Sequence, residues 1–173
     1  MSAKKVLMVI APEKFRDEEF FEPEAVFEKA GCEITVASTK RTKAAGTLGG
    51  IRETDAALSE LSAKDFDAIC ISGGGGSRTY LWDDKDLHAL INDFNAAGKA
   101  IGAICISPVI LSKAGILNGK KSTVFPDDEA VDIMTKNGSD VDPKTNIVRD
   151  GNVVTANGPK VSAAFGEELL KIM

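Results

Sequence analysis

Hydrophobic residues along this chain form short continuous runs that alternate with longer segments of helical spacing. Residues 6–10 and 68–71 are apolar throughout, which is typical of central parallel strands buried on both faces. The pattern predicts an α/β fold with a mostly parallel sheet, helices on both faces and right-handed crossovers. We expect strands at residues 5–11, 33–38, 67–72 and 100–104, and helices at residues 23–30, 84–97 and 108–114.

The second half of the chain continues the pattern with shorter elements. Between residues 44 and 61, Gly46, Gly49 and Gly50 interrupt a weaker pattern, which indicates either an irregular excursion or a short hairpin. No repeat or linker divides the 173 residues, so we expect a single domain over residues 1–173. We also expect a strand at residues 121–125, a helix at 127–137, a hairpin at 146–154 that turns at Asp150, Gly151 and Asn152, and a last helix at 159–172.

The charge balance narrows the range of partners. The 21 basic and 26 acidic side chains give a net charge of −5. The densest basic cluster, Lys40, Arg41 and Lys43, contains no aromatic residue, so we expect no nucleic-acid partner. The apolar run at residues 6–11 is too short for a signal peptide or a membrane span. We therefore expect a cytoplasmic protein with no membrane partner.

Cysteine and histidine are too few for a metal or disulfide framework. Cys32, Cys70 and Cys105 show no CxxC spacing, and His88 is the single histidine, so a zinc site and a disulfide scaffold are both disfavoured. Cys32 and Cys70 lie in or beside predicted strands, where we expect them to pack as small hydrophobes. His88 falls off the apolar stripe of its helix, which predicts a surface position.

Cys105 differs because a strand ends there and a helix begins just after it. Ser107 has the hydroxyl expected of an N-cap, and Pro108 suits the first helical position. A sulfur at a helix N-terminus faces unpaired backbone N–H groups and the positive end of the helix dipole. We therefore expect the pKa of Cys105 to lie below the value of about 8.5 for a free thiol.

Two further segments follow predicted strands and should meet Cys105 at one edge of the sheet. Residues 11–19 follow the first strand and residues 72–77, with four consecutive glycines from Gly73 to Gly76, follow another. Ligands of open parallel sheets bind at the carboxyl ends of the strands. The glycine run lacks the spacing of a Walker or dinucleotide motif, so we expect no cofactor. It is either a donor of N–H groups to an oxyanion or a flexible turn.

These segments together resemble the ThiJ/PfpI superfamily, which contains the intracellular protease I group and the parkinsonism-associated redox protein. The resemblance covers essentially the whole chain. It is carried by Glu19-Phe20-Phe21-Glu22-Pro23, by residues 67–74, by Ala103-Ile104-Cys105 with Pro108, and by Ala114-Gly115-Ile116-Leu117.

The resemblance implies both a fold and a site. The fold is a flavodoxin-like three-layer sandwich, as in class I glutamine amidotransferases, assembled into homodimers or larger homo-oligomers. Position by position, Cys105 corresponds to the nucleophile, Glu19 to the acid that hydrogen-bonds its sulfur, and Gly74 to a backbone oxyanion donor. Cys105 lies in the sharp strand-to-helix turn that is called a nucleophile elbow, and Ile106 follows it. Cys105, Glu19, Gly74 and Ile106 are the candidate catalytic residues.

The sequence departs from the family pattern at four positions. Ile106 stands where the protease-like members carry a histidine, and Ser107 stands where a glycine often follows it. Phe125 corresponds to a second histidine that the redox-protein branch carries before a proline, and Arg78 corresponds to a carboxylate that a neighbouring subunit supplies in protease-like members. Peptide hydrolysis by a cysteine needs an imidazole partner. The departures therefore argue against a protease.

Two functions of different classes remain open. The first is a Cys105-dependent enzyme that acts on small reactive carbonyls, glyoxalase-like or deglycase-like, in which Glu19 shuttles the proton and Gly74 holds the oxyanion. The second is a non-enzymatic redox-sensing or stress-protective protein in which Cys105 becomes sulfenic or sulfinic acid. The partner is then a small electrophile or an oxidant. We expect loops around Phe15, Arg16, Ser77, Arg78 and Phe125 to form the pocket walls.

Overall fold

A seven-stranded sheet forms the centre of the computed structural model, which describes residues 2–173. The strands are β1 (Lys5–Val9), β2 (Glu13–Phe15), β3 (Glu33–Ser38), β4 (Lys43–Gly46), β5 (Ile51–Glu53), β6 (Ala56–Ala57), β7 (Ala68–Ile71), β8 (Ala100–Ile104), β9 (Lys121–Ser122), β10 (Asp140–Val141), β11 (Ile147–Asp150) and β12 (Val153–Ala156). The helices are α1 (Asp17–Lys29), α2 (Lys85–Ala96), α3 (Pro108–Ala114), α4 (Asp128–Lys136) and α5 (Ser162–Lys171). Among the described residues, none of these helices has the length and apolarity that a membrane crossing requires.

The strand order confirms the predicted α/β sandwich. The order is β11-β12-β8-β7-β1-β3-β6, and each pair is parallel except β11 with β12. Helices α1 and α5 pack together on one face, and α2 and α3 pack together on the other. Strands β3 and β6 follow β1 on one side of it, and β7, β8, β12 and β11 lie on the other side. The strand order therefore reverses between β1 and β7. A parallel sheet of this kind binds ligands beside that reversal, at the carboxyl ends of the strands.

A second, three-stranded sheet lies beside the end of β1. Strands β4 and β5 form an antiparallel hairpin, and β2 pairs with β4, so the hairpin alternative holds for this region. The Asp17 carboxylate accepts hydrogen bonds from the N–H groups of Leu48 and Gly50, at 2.8 and 2.7 Å. A Cβ atom at Gly46 or Gly50 would lie 2.6 or 2.5 Å from that carboxylate. The glycines of this segment therefore allow helix α1 to hold the hairpin turn.

Helix α1 begins at Asp17 rather than at Pro23, so this prediction was wrong. Three acidic residues fill the first turn, where the helix dipole favours negative charge. Pro23 lies inside the helix, and its missing N–H leaves the carbonyl of Glu19 without a helical partner. The hydroxyl of Ser72 donates to that carbonyl at 3.0 Å. This bond offsets the lost helical one and joins α1 to the end of β7.

The segment after α3 also differs from the prediction. Only Lys121–Ser122 of the expected strand 121–125 is extended as β9, and it pairs with β10 outside the main sheet. Beyond it, the N–H of Thr123 donates to Oγ1 of Thr155, and the N–H of Phe125 donates to the carbonyl of Cys105. The chain leaves strand pairing here because it crosses the end of β8. The last helix begins at Ser162, after a 3-10 turn at Pro159–Val161.

Candidate active site

Cys105 occupies a sharp turn between β8 and α3. Its φ angle is +65°, in the left-handed region that residues other than glycine rarely adopt. Its N–H donates to the carbonyl of Ala156 at 2.9 Å, and its own carbonyl accepts from the N–H of Phe125 at 2.8 Å. A strained backbone persists when its surroundings fix it from both sides. The structure therefore contains the expected elbow, tied to β12 and to the loop before α4.

Ser107 does not cap helix α3, contrary to the expectation. No side-chain cap bond forms at its N-terminus. The Ser107 hydroxyl donates to the carbonyl of Ser72 at 2.6 Å and lies 2.7 Å from the hydroxyl of Ser77. All three side chains are fully buried, where a hydroxyl group needs a partner. Ser107 thus links the elbow to the glycine-rich turn instead of ending the helix.

Glu19 lies next to the Cys105 sulfur in the first turn of α1. Its side chain is fully buried, and Oε1 accepts the N–H of Gly73 at 3.0 Å. Among residues 2–173, buried Oε2 has no hydrogen-bond partner. The neighbouring Cys105 thiol lowers the pKa of Glu19, and Glu19 in turn raises the pKa of Cys105. A Cβ atom at Gly73 would lie 2.6 Å from Cβ of Cys105 and 2.8 Å from Oε1 of Glu19, so only glycine leaves room for this pair.

The two acids of this pair have strongly shifted pKa values. Burial raises the pKa of Glu19 to about 7, although hydrogen bonds from Cys105 and Gly73 partly oppose the shift. Burial and the negative charge of Glu19 raise the pKa of Cys105 to about 12, while N–H groups of Gly74 and Ile106 act in the opposite direction. The expectation of a lowered cysteine pKa was therefore wrong, because loss of water and a like charge outweigh two N–H donors.

The pair is best described as one dyad with two titrations. Its pKa values are about 7 and about 12. Between these values the dyad holds one proton and carries one negative charge. A thiolate beside a protonated carboxyl is one of its two arrangements, so the sulfur can act as a nucleophile without an imidazole.

The glycine run is a closely packed turn, which corrects the alternative of a flexible turn. Gly74 has a φ of +98°, and a Cβ atom there would lie 2.5 Å from the N atom of Arg16. A Cβ atom at Gly76 would overlap the carbonyl oxygen of Glu13. The run is therefore a turn fixed by close packing rather than a flexible one. It also directs the N–H of Gly74 to the sulfur of Cys105.

A cleft of about 270 Å³ opens beside the dyad and contains all four candidate residues, Cys105, Glu19, Gly74 and Ile106. A larger cavity of about 360 Å³ beside α4 contains none of them, so size alone does not identify the site. The cleft is also lined by Arg16, Thr47, Gly75, Arg78, Phe125, Asp127 and Pro159.

Three of the five expected wall residues line this cleft, namely Arg16, Arg78 and Phe125. The other two, Phe15 and Ser77, are fully buried and do not line it. Thr47, Asp127 and Pro159 line it as well, and sequence reasoning missed them. The glycines around Thr47 marked a tight turn but gave no indication of where that turn would lie.

Both arginines of the cleft are paired with carboxylates. Arg78 lies 2.9 Å from Asp127 and 3.6 Å from Glu129, and its guanidinium group lies 4.8 Å from the centre of the Trp82 ring. Arg16 donates to Glu18 at 2.9 Å. The cleft therefore has no surplus of positive charge at its arginines.

Trp82 connects Arg78, at the wall of the cleft, to the residues that follow Cys105. Its indole N–H donates to the carbonyl of Ile106 at 3.0 Å, and its own carbonyl lies 2.8 Å from Nε2 of His88. His88 is half-buried rather than fully on the surface. It does not line the cleft, so the dyad has no imidazole from this residue.

The remaining cysteines lack such surroundings. Cys70 is fully buried in β7, opposite Met8 of β1, and burial raises its pKa. Cys32 is half-buried just after α1, and burial followed by the charge of Asp67 raises its pKa. Among the described residues, neither thiol shares a proton with a buried carboxyl group as Cys105 does with Glu19.

Comparison with known proteins gives one consistent result. The model of the DJ-1/PfpI family matches residues 4–172. An uncharacterized protein of Methanocaldococcus jannaschii is 45% identical over 171 residues, which cover 99% of this chain and 83% of that protein. Protein/nucleic acid deglycase 2 of Escherichia coli is 32% identical over 174 residues, with 99% and 98% covered. The crystal structure of a ThiJ/PfpI domain protein from Brachyspira murdochii superposes with a TM-score of 0.92 at 34% identity and covers 99% of this chain and 97% of its own.

Proposed function

Because this chain belongs to the DJ-1/PfpI family, we propose that Cys105 adds to small reactive 2-oxoaldehydes and that the protein converts them to 2-hydroxy acids. The observation that carries the proposal is the buried dyad of Glu19 and Cys105 at the base of an open cleft. A relative named a deglycase also favours carbonyl chemistry. The reaction is glyoxalase-like and uses no group from outside the chain other than water.

The first step is addition of sulfur to the aldehyde carbon. A bond forms between Sγ of Cys105 and that carbon, and the electron pair of the carbonyl π bond moves to oxygen. The N–H groups of Gly74 and Ile106 lower the pKa of Cys105, and in this proposal they donate to the oxygen of the attached carbon. Glu19 gives its proton to this oxygen, which produces a neutral hemithioacetal and a carboxylate.

The second step moves hydrogen within the bound molecule. The Glu19 carboxylate removes the proton from the former aldehyde carbon and returns it to the neighbouring carbon, and the hydroxyl proton of the hemithioacetal moves to the ketone oxygen. The first carbon becomes a thioester carbonyl and the second becomes an alcohol, so one carbon is oxidised while the other is reduced. Water then cleaves the thioester, the 2-hydroxy acid leaves, and the thiol is restored. The sum is 2-oxoaldehyde plus water giving 2-hydroxy acid.

The dyad sets the pH dependence of this reaction. Addition requires a thiolate, and the dyad first loses a proton at a pKa of about 7. We therefore expect the rate to rise as the pH increases through about 7, since the singly protonated dyad is the reactive form.

The test is conversion of methylglyoxal to lactate by the wild type and by Cys105→Ser. The substitution should reduce kcat/KM by at least about 10³-fold, because a hydroxyl in place of the thiol removes the nucleophile. Cys32→Ser is the matched control, since Cys32 lies outside the cleft, and it should retain activity. Undiminished turnover in Cys105→Ser would contradict the proposal.

The same geometry supports a second candidate, protection through oxidation of Cys105. The thiolate attacks a peroxide oxygen, an S–O bond forms while the O–O bond breaks, and water leaves. A second peroxide repeats the step and gives sulfinic acid, whose oxygens would accept the N–H groups of Gly74 and Ile106. Peptide mass spectrometry after peroxide treatment should then show two added oxygen atoms at Cys105. Equal oxidation of Cys32 or Cys70 would rule this candidate out.

We also propose that the protein acts in the cytoplasm as a homodimer or larger homo-oligomer. The support is the family resemblance, together with the exposed Leu48 and Ile51 on the hairpin of β4 and β5. Sedimentation equilibrium would measure the assembly directly, and a monomer at all concentrations would contradict it.

A further inference from the structure

A second cavity of about 340 Å³ adjoins the Cys105 cleft. The two share Phe125 and Pro159, and the second continues past Gly158 to Val161. Phe125 stands between them with 41% of its surface exposed. Its N–H is bonded to the carbonyl of Cys105 at 2.8 Å, which fixes its backbone relative to the nucleophile. A molecule attached to the sulfur can therefore extend along Phe125 into the second cavity.

The surface along this path is mainly apolar. Ile106 is 6% exposed at the dyad, and Phe125, Pro159 and Val161 follow it outward. Asn146 and Asn157 complete the second cavity, and Lys160 is exposed there, so its ammonium group can remain in water. A large exposed aromatic side chain beside a reactive group gains from an apolar ligand that covers it.

The charges around the dyad disfavour an anionic ligand. Arg78 is already paired with Asp127 and Glu129, and Arg16 is paired with Glu18. Above pH 7 the dyad itself adds a negative charge. The carboxylate of a 2-oxo acid would be repelled by the negative charge of the dyad, and neither arginine has a free guanidinium group to bind it.

We propose that the second cavity, bounded by Phe125, Gly158, Pro159 and Val161, is a subsite for the apolar substituent of the substrate. The preferred substrates are then neutral 2-oxoaldehydes with a branched-alkyl or aryl group, rather than methylglyoxal or 2-oxo acids. This inference rests on the carbonyl chemistry proposed above, but the subsite can be measured without turnover.

The test uses two alkylating reagents of the same chemistry, iodoacetamide and 2-iodo-N-phenylacetamide. With either one the thiolate forms an S–C bond and iodide leaves, so only the substituent differs. At Cys105, the rate with the phenyl reagent is divided by the rate with iodoacetamide, both measured by peptide mass spectrometry. The same ratio is measured for free cysteine, and the first ratio divided by the second is the preference of the site. We expect a preference for the phenyl reagent of roughly tenfold, the discrimination typical of a small apolar pocket.

The matched variants separate the subsite from the rest of the molecule. Gly158 has an extended backbone, and a Cβ atom there would lie 3.4 Å from the Phe125 ring. Gly158→Val therefore fills the subsite without changing a residue of the Cys105 cleft, and it should abolish the preference. Ala97→Leu enlarges a side chain in a cavity lined by Ser62, Lys64 and Asp93, which shares no residue with the cleft or with the second cavity, and the preference should persist.

Turnover distinguishes failure of this inference from failure of the proposed function. With 4-methyl-2-oxopentanal in place of methylglyoxal, kcat/KM should rise roughly tenfold. A phenyl preference without turnover of either compound would support the subsite and contradict the proposed function. A wild-type alkylation ratio equal to that of free cysteine would overturn the subsite, whatever the turnover.

Discussion

The centre of the sheet and its carboxyl edge each contain a buried thiol, and the two have very different surroundings. Cys70 lies in the middle of β7, beside Gly102 of β8, and Cys105 lies just beyond the end of β8. Burial raises the pKa of both. For Cys70 burial is the sole cause, whereas Cys105 also has a carboxyl group, two N–H donors and an open cleft. Burial alone makes a thiol inert, and polar partners at a strand end are what make it a candidate nucleophile.

The largest expected difference between the two regions is in alkylation rate. At pH 8, iodoacetamide should modify Cys105 at least about 10³-fold faster than Cys70, because Cys70 reacts only when the sheet opens. Peptide mass spectrometry over time measures both rates in one sample. Comparable alkylation rates at Cys70 and Cys105 would show that the partners of Cys105 at the edge of the sheet do not make its thiol more reactive.

Glu19→Gln tests what the carboxyl adds at the edge of the sheet. The folded pKa of Glu19 is about 7 against an ordinary 4.5, so the folded state binds a proton that the unfolded state has released. The resulting stability is fully present below about pH 4.5 and is lost as the pH rises through about 7, by roughly 3 kcal/mol.

Denaturant unfolding from pH 4.5 to 8 checks this expectation. The wild type should lose stability relative to Glu19→Gln across that range, whereas the amide is insensitive to pH. Cys105 should also alkylate faster in Glu19→Gln at pH 9, because the negative charge that raises its pKa is gone. Parallel stability curves for the two proteins would show that Glu19 is not held protonated.

Two adjacent glycines test whether close packing at the edge supports the site. In Gly76→Ala the new methyl group overlaps the carbonyl oxygen of Glu13, whereas Gly75 has no atom within 4 Å of a Cβ position. Gly76→Ala should cost about 2 kcal/mol of unfolding free energy and slow alkylation of Cys105, since the turn that carries Gly74 must shift. Gly75→Ala should do neither. Equal effects in thermal unfolding would mean that this packing does not position the site.

The smallest effect concerns the bond between Ser72 and the carbonyl of Glu19. Ser72→Ala should cost about 1 kcal/mol, because it removes the partner of a carbonyl that Pro23 leaves free. In the Pro23→Ala background the helix can supply its own N–H to that carbonyl, so the cost should shrink. A double-mutant cycle of denaturant midpoints measures this coupling. Additive effects would exclude the compensation.

Elements with local signals could be predicted from the sequence. Strand 100–104 and helix 108–114 have the predicted bounds. Pro108 favours a helix start, and Gly115, at a φ of +92°, ends the same helix. These signals act within a few residues, so no knowledge of the rest of the fold is needed.

Features that depend on distant partners could not be predicted in this way. Pro23 lies inside a helix because Ser72 compensates for it, and Ser107 points to Ser72 and Ser77 instead of capping. Asp17 has no role that the sequence pattern indicates, yet its carboxylate holds the hairpin turn that brings Thr47 to the cleft. The placement of the dyad came from the family resemblance, and its pKa values came only from the packing around it.

The ends of the main sheet have a consequence for self-association through the backbone. One outer strand, β6, is only two residues long, and the other, β11, includes the charged residues Arg149 and Asp150. A short outer strand offers few free N–H and C=O groups to a strand from another molecule, and charged side chains on an outer strand disfavour such pairing. We therefore expect the main sheet to resist edge-to-edge pairing between molecules, even when the protein is concentrated.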